Sequence, residues 1–262
     1  MTEPHLLFEK KGALGLITIN RPQAKNSLSQ EMVTLWRRAL EEARDDDGLR
    51  AIILTGRGDT FCTGGNLQEM AEGKRRGWDM KRFLWENVYP IAFTMENIDK
   101  PVIAAINGAA AGAGLDMALM CDLRICSEKA KFSASYINIG LVAGNGGAFY
   151  LPRLVGLGQA LEILLTGDII SPEEAYRMGL VNRVVAADGL LEESLKLAEK
   201  LAAKPPLALR MMKRAVYESR GSNLRGHLDF ISSQLALLSR TDDHLEAVRA
   251  FLEKRKPEFK GK

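Results

Sequence analysis

Two glycine-rich turns contain the residues whose types and spacing best suit chemistry. The first is FCTGGNL at 61–67 and the second is AAAGAG at 109–114, and each follows a short apolar run. Small residues leave backbone N–H groups accessible, and two converging N–H groups stabilise the negative charge that develops on a carbonyl oxygen. We expect Gly65 and Ala113 to be these two donors. The same pattern is also typical of turns that only allow close packing of helices.

One carboxylate, Asp116, lies three residues after Ala113. If a helix begins near residue 113, both residues lie on one face of its first turn. The partial positive charge at a helix start favours the ionised carboxylate, so Asp116 is expected to act as a base unless burial raises its pKa. The alternative is an acid that only complements the helix dipole.

The composition argues against several other kinds of site and partner. The three histidines lie away from the glycine turns in the sequence, and the three cysteines lack metal-ligand spacing, so we expect neither a metal site nor a Ser-His triad. The cysteines fit reduced thiols in a cytoplasmic protein. A net charge of +3, from 36 basic and 33 acidic residues, argues against nucleic-acid and membrane partners. Neither turn matches a phosphate-binding loop motif.

The elements that must position the turns are strands and helices in alternation, followed by helices alone. Apolar runs at 51–59 and 101–108 predict buried strands, and sites in such sheets lie beyond the carboxyl ends of the strands. Helices are predicted after an N-cap at Ser27 or Ser29, and over 68–98. The rest of the chain is mostly helical in pattern, which predicts an α/β core with a helical C-terminal layer.

The two turns, their spacing and the run LPRLVG…LLTG…GLVNRVV resemble the enoyl-CoA hydratase/isomerase (crotonase) superfamily. The resemblance covers nearly the whole chain, from NRPQAKNSL to AFLEKRKPEF. It implies a spiral of ββα units with a C-terminal helical trimerisation region, divided here into 1–195 and 196–262. It also implies assembly as trimers or dimers of trimers. The implied substrates are acyl-CoA thioesters, with coenzyme A as part of the substrate and no other cofactor.

The resemblance assigns the oxyanion donors to Gly65 and Ala113. It places CoA and substrate contacts in the segment 23–27, in the FCTGGN loop and in the basic terminal helix, and the pocket wall in 68–98 and 136–150. The candidate contact residues are Gln23, Ala24, Lys25, Cys62, Thr63, Gly64, Asn66, Leu67, Gly112, Gly144, Asn145, Lys254 and Lys256.

The catalytic positions depart from the pattern of the hydratases in this superfamily, which use two glutamates. Asp116, one methylene shorter, stands at the first position, and Tyr136 stands at the second. Some isomerases and dehalogenases place an aspartate nearer the next loop, where this chain has Gly144 followed by Asn145. A phenol of ordinary pKa donates hydrogen bonds and is not a carboxylate base. Tyr136 is therefore a candidate catalytic residue, with packing in the core as its alternative role.

The expected function is water addition to a 2-enoyl-CoA, with Asp116 as acid and base. Double-bond isomerisation also suits a single acid beside an oxyanion hole, and decarboxylation could use Tyr136 as the proton donor. A non-catalytic acyl-CoA-binding protein is a further alternative. RNA binding, which some relatives show, is disfavoured because no long basic stripe with interleaved aromatic residues is present.

Overall fold

Two β-sheets lie at the centre of the computed structural model, which describes residues 3–73 and 77–262. Within these ranges the strands are β1 (Leu6–Lys11), β2 (Leu14–Ile19), β3 (Ala51–Gly56), β4 (Thr60–Cys62), β5 (Val102–Ile106), β6 (Ala109–Ala111), β7 (Leu123–Ser127), β8 (Lys131–Ser133) and β9 (Arg183–Val185). The larger sheet has the order β1-β2-β3-β5-β7-β9 and the smaller sheet the order β4-β6-β8. β1 and β2 pair antiparallel, and the later pairs are parallel.

Helices surround the two sheets. Those in the described residues are α1 (Gln30–Asp45), α2 (Leu67–Ala71), α3 (Trp78–Phe83), α4 (Tyr89–Glu96), α5 (Ala113–Leu119), α6 (Gly147–Val155), α7 (Leu157–Thr166), α8 (Pro172–Arg177), α9 (Leu190–Ala202), α10 (Pro206–Glu218), α11 (Leu224–Leu238) and α12 (Asp242–Leu252). Over the same residues, no helix has both the length and the apolar character needed to cross a membrane.

The chain repeats a strand of the larger sheet, a strand of the smaller sheet and a helix. This unit occurs as β3-β4-α2 and again as β5-β6-α5, and β7-β8 begins the next repeat. The predicted spiral of ββα units is therefore confirmed. Because β4 and β6 pair in parallel, with Cys62 opposite Ala110, the turns that follow these two strands lie side by side.

The central strand β5 is buried along its whole length, as its continuous apolar sequence predicts. Its residues alternate between two hydrophobic clusters because successive side chains of a strand point to opposite faces of a sheet. Val102, Ala104 and Ile106 join the larger cluster, which also contains the buried face of α1. Ile103 and Ala105 join a smaller cluster that packs against α9.

Helix α1 is fixed at both of its ends. Ser29, one of the two predicted caps, accepts a hydrogen bond from the backbone N–H of Met32 and is the N-cap. At the other end the buried Lys100 donates from Nζ to the backbone oxygens of Ala43 and Arg44 in the last turn and of Asp46 just after it. These bonds satisfy carbonyl groups that a helix C-terminus leaves unpaired.

The single helix predicted over 68–98 is interrupted. Its described part consists of α2, α3, a π-helical turn (Leu84–Val88) and α4, and residues 74–76 fall outside the described residues. The interruption follows from Gly73 and Gly77, whose φ angles of +65° and +53° are left-handed and do not continue a right-handed helix.

The C-terminal helices join the core through α9 and α10. Helix α9 packs on the larger sheet and runs through residue 195, so the division into 1–195 and 196–262 stays a prediction. Helix α10 is tied to the core by Asp122, whose carboxylate accepts hydrogen bonds from Lys213 and Tyr217, each at 2.7 Å. Helix α11 buries none of its residues.

Candidate active site

The two glycine turns meet at Gly64. This residue has φ of +83°, and a Cβ atom there would stand 2.7 Å from the backbone oxygen of Ala111 and 2.9 Å from the backbone nitrogen of Ala113. Both distances are too short for a real side chain. Glycine at this position therefore lets the first turn lie directly against the start of α5.

Gly65 and Ala113, the two predicted oxyanion donors, both line one cavity, and their role as donors stays a prediction. Within residues 3–73 and 77–262, neither backbone N–H group donates a hydrogen bond to another residue. The N–H of Ala113 is also in the first turn of α5, where the helix dipole adds partial positive charge. Two N–H groups without an acceptor, on residues that line one cavity, are an arrangement that can bind an oxygen atom carrying negative charge.

The segment 23–27 holds the first turn in place. Thr63 donates from its N–H and its hydroxyl to the backbone oxygen of Lys25, at 3.2 and 3.1 Å. The buried amide of Asn26 donates to the backbone oxygens of Arg57 and Thr60. Lys25 and Asn26 both adopt left-handed backbone, with φ of +51° and +52°. Sequence reasoning missed Asn26, although asparagine is a residue type that tolerates this conformation.

Asp116 is almost fully buried, with 1% of its surface exposed. Its Oδ2 accepts hydrogen bonds from the Tyr136 hydroxyl at 2.8 Å and from the Asn145 N–H at 3.1 Å. The backbone of Gly147 also bonds to the carboxylate. Burial raises the pKa of Asp116 to about 6, and the three hydrogen bonds act in the opposite direction. Burial therefore outweighs the helix start, which alone would favour the ionised form.

Tyr136 stands between Asp116, its hydrogen-bond partner, and the cavity that it lines. Burial, followed by the negative charge of Asp116, raises the pKa of Tyr136 well above its ordinary value near 10. The phenol therefore stays protonated, and its O–H donates a hydrogen bond to the carboxylate. Asp116 itself is not among the residues that line the cavity. Of the hydrogen-bonded pair, the phenol thus lines the cavity and the acid lies behind it.

Glycine at 147 is a second feature that sequence reasoning missed. A Cβ atom at Gly147 would overlap Oδ1 of Asp116 and stand 3.2 Å from the side chain of Ala143. The signal was present in the sequence as the run GNGG at 144–147. In this run it is the backbone N–H of Asn145 that donates to Asp116.

The cavity has a volume of about 330 Å³. Its wall is mostly apolar and comes largely from 68–98 and 136–150, as predicted, together with the start of α1, which was not. The apolar lining residues are Leu28, Val33, Met70, Met80, Phe83, Leu84, Val88, Leu141 and Val142. The remaining lining residues are Ser29, Gln30, Gly65, Asn66, Glu69, Ala113, Tyr136, Gly144 and Asn145. Such a pocket suits an apolar group attached to a carbonyl.

Several predicted contact residues lie outside this lining. Gln23 and Ala24 form part of a short 3₁₀ turn, Leu67 is exposed at the start of α2, and Lys254 and Lys256 are exposed after α12. Four others lie within the two turns but do not line the cavity, namely Cys62, Thr63, Gly64 and Gly112. All of these contacts stay predictions. Among the described residues, no group of three or more His, Cys, Asp or Glu side chains is arranged to hold a metal.

The raised pKa of Asp116 predicts a pH dependence of folding stability. The folded pKa of about 6 lies above the ordinary value of 3.8, so the protonated acid stabilises the fold below about pH 4, and this contribution is lost as pH rises through 6. A shift of this size corresponds to about 3 kcal/mol. Urea unfolding between pH 4 and 7 should therefore show that Asp116→Asn removes this part of the pH dependence. The exposed control Asp168→Asn should keep it, and equal pH dependence in Asp116→Asn and the unchanged protein would contradict the assignment.

Comparison with known proteins agrees with this geometry. The sequence model of the family described as enoyl-CoA hydratase/isomerase matches residues 9–262. A crotonyl-CoA hydratase of Syntrophomonas wolfei is 36% identical over 100% of both chains, and a 1,2-epoxyphenylacetyl-CoA isomerase of Escherichia coli is 34% identical over 100% of both. A solved enoyl-CoA hydratase subunit from Geobacillus kaustophilus is 40% identical, covers 98% of each chain and has a TM-score of 0.91. The chain therefore has the crotonase fold and is an enzyme of the enoyl-CoA hydratase/isomerase family.

Proposed function

We propose that the protein adds water to the double bond of a 2-enoyl-CoA thioester. The observation that carries the proposal is that Gly65 and Ala113, whose backbone N–H groups have no acceptor among the described residues, line the same cavity as Tyr136, the hydrogen-bond partner of Asp116. Relatives named crotonyl-CoA hydratase, short-chain-enoyl-CoA hydratase and 2,3-dehydroadipyl-CoA hydratase support it, at 36%, 35% and 36% identity. The isomerase, decarboxylase and non-catalytic alternatives have weaker support.

The hydrogen-bonded pair would move the proton that hydration requires. As the water oxygen bonds to C3 of the substrate, the water gives a proton to Tyr136, and Tyr136 passes its own proton to ionised Asp116. The C2=C3 electron pair forms a C1=C2 double bond and the carbonyl pair moves onto the thioester oxygen, where the N–H groups of Gly65 and Ala113 stabilise the charge. The proton then returns through Tyr136 to C2. This step completes the addition of one water molecule and leaves Asp116 ionised again.

The CoA part of the substrate is proposed to lie along the segment 23–27 and the turn at 62–67. The hydrogen bonds between Thr63 and Lys25 support this position because they join the two segments into one surface. Lys254 and Lys256 are proposed to contact its phosphate groups. Coenzyme A enters as part of the substrate, and we propose no further cofactor.

Removing the phenol tests the proposed proton path. Tyr136→Phe should lower the turnover of crotonyl-CoA by about 100-fold or more, because general acid–base catalysis contributes factors of this size. Asp116→Asn should lower turnover at least as much, while KM changes little in both variants. Product formation by mass spectrometry and initial rates give the measurement, with the exposed Tyr176→Phe as the matched control. A Tyr136→Phe rate equal to that of the unchanged enzyme would leave the phenol a packing residue.

The contact at Gly64 gives a second test of the oxyanion site. Gly64→Ala should separate the two turns and lower turnover by about 100-fold, the usual effect of losing one oxyanion donor. Gly12→Ala is the matched control because Gly12 also has positive φ, at +58°, yet no other atom lies within 4 Å of a Cβ placed there. Steady-state kinetics of both variants should therefore differ sharply. Similar losses would mean that backbone strain, and not displacement of the donors, is responsible.

We also propose that the protein is a cytoplasmic homo-oligomer, a trimer or a dimer of trimers. Support for assembly comes from α11, which buries no residue and leaves Leu224, Leu235 and Leu237 at least 59% exposed. Sedimentation equilibrium should give three or six times the chain mass of 28.9 kDa. A species that stays at the mass of one chain across a wide concentration range would contradict this proposal.

A further inference from the structure

A second cavity, of about 350 Å³, lies at the amino ends of β3 and β5. It is bounded by residues that precede these strands, by the start of α10 and by the last residues of the chain. None of the residues that line it also lines the active-site cavity described above. Any ligand that it binds would therefore occupy a site separate from the acyl group.

The described residues that line this cavity are strongly cationic. Five basic side chains line the cavity, whereas Asp47 is the single carboxylate among the described lining residues. The basic residues are Arg50, Lys100, Lys204, Arg210 and Lys260. Charges of one sign around a partly enclosed volume create a local potential that attracts an anion.

Two of the five cations already have partners. Arg210 pairs with Asp47 at 3.3 Å and with Asp99 at 3.0 Å. Lys100 donates to backbone oxygens at the end of α1, so it adds positive charge without a free donor. Burial, and then the charge of Arg210, lower the pKa of Lys100, while Asp99, Asp47 and Asp46 act in the opposite direction.

The other three cations lack a charged partner. Across the described ranges, no carboxylate lies within 4.0 Å of the side-chain nitrogens of Arg50, Lys204 or Lys260. Arg50 does donate to the backbone oxygens of Ala202 and Phe259, at 3.2 and 3.0 Å. These neutral acceptors fix the guanidinium in place and leave its charge uncompensated.

The start of α10 adds a backbone donor to the same cavity. This helix has 13 residues and begins with Pro206 after Pro205. The N–H of the next residue, Leu207, has no acceptor among the residues described, and Leu207 lines the cavity. A free N–H at the positive end of a helix dipole, beside an arginine, is an arrangement that binds phosphate groups.

The C-terminal tail closes one side of the cavity and is itself held firmly. The buried carboxylate of Asp243 accepts hydrogen bonds from the backbone N–H groups of Lys260 and Gly261, at 2.7 and 2.8 Å. Gly261 has φ of +76°, and a Cβ atom there would stand 3.2 Å from the ring of Pro206. The backbone of Lys260 is therefore fixed where its side chain can reach the cavity.

We propose that this cavity binds a small anion that carries phosphoryl groups, with Arg50, Lys204, Lys260 and the N–H of Leu207 as its contacts. The lining includes no aromatic side chain from the described part of the chain, so a nucleobase would have no ring on which to stack. The part of the ligand that the cavity recognises is accordingly its phosphoryl portion, such as a diphosphate. It can come from free pyrophosphate or from a nucleotide such as ADP.

Calorimetric titration with inorganic pyrophosphate, at constant ionic strength, tests the proposal. Binding to the unchanged protein should weaken by about 10-fold or more in the double variant Lys204→Gln/Lys260→Gln, because two charge-assisted contacts to phosphoryl oxygens are lost. The matched control is Lys129→Gln/Lys131→Gln, which removes two exposed lysines elsewhere. Absence of binding, or equal affinity in the double variant and the unchanged protein, would overturn the proposal.

A second titration distinguishes the two sources of the diphosphate. ADP that binds at least as tightly as pyrophosphate, and loses affinity in the same double variant, identifies a nucleotide. Pyrophosphate binding alone identifies the free anion. Turnover of crotonyl-CoA without added anion serves as the folding control and should be unchanged in the double variant, since neither lysine belongs to the active site.

Discussion

The close contact between Gly64 and the start of α5 is the constraint on which the rest of the active site depends. Parallel pairing of β4 with β6 brings the two turns together, but only backbone without a Cβ atom can complete the approach. Gly114 obeys the same constraint, because a Cβ atom there would overlap the backbone oxygen of Cys62. Gly64 and Gly114 thus allow the two turns to approach each other closely. As a result Gly65 and Ala113, which belong to separate ββα units, line one cavity, and no single turn could provide that pair of N–H groups.

Burial determines the pKa of Asp116, much as close backbone contact determines the positions of the N–H groups of Gly65 and Ala113. Asp116 is enclosed by α5 and by the turn at 144–147, so desolvation raises its pKa, while donors from Tyr136 and two backbone groups hold the value near 6. An acid with this pKa is mostly ionised at neutral pH, yet it can carry a proton briefly and return it. With Tyr136 in front of it, the carboxylate can act without direct contact with the substrate.

The sequence allowed the main elements and the two turns that line the cavity to be predicted, because these depend on local patterns. Continuous apolar runs identified β3 and β5, and the spacing of Asp116 from Ala113 correctly placed both in the first turn of α5. Other features depend on contacts between distant segments. The order in which Tyr136 and Asp116 face the cavity, and the support of the first turn by Asn26, arise from packing that no local pattern records. The interruption of the helix at Gly73 was a local signal that was overlooked.

The cationic cavity follows from how the C-terminal tail is attached. Arg50 donates to the backbone oxygens of Ala202 and Phe259, and Asp243 accepts hydrogen bonds from the backbone of the tail. Lys204 and Lys260 line the same cavity as Arg50, where the basic side chains outnumber the one lining carboxylate, Asp47, and this excess of like charge opposes the docking of the tail. An anion among them removes that repulsion and stabilises the docked tail by mass action. The attachment that creates the positive site is therefore strengthened by the ligand that the site attracts.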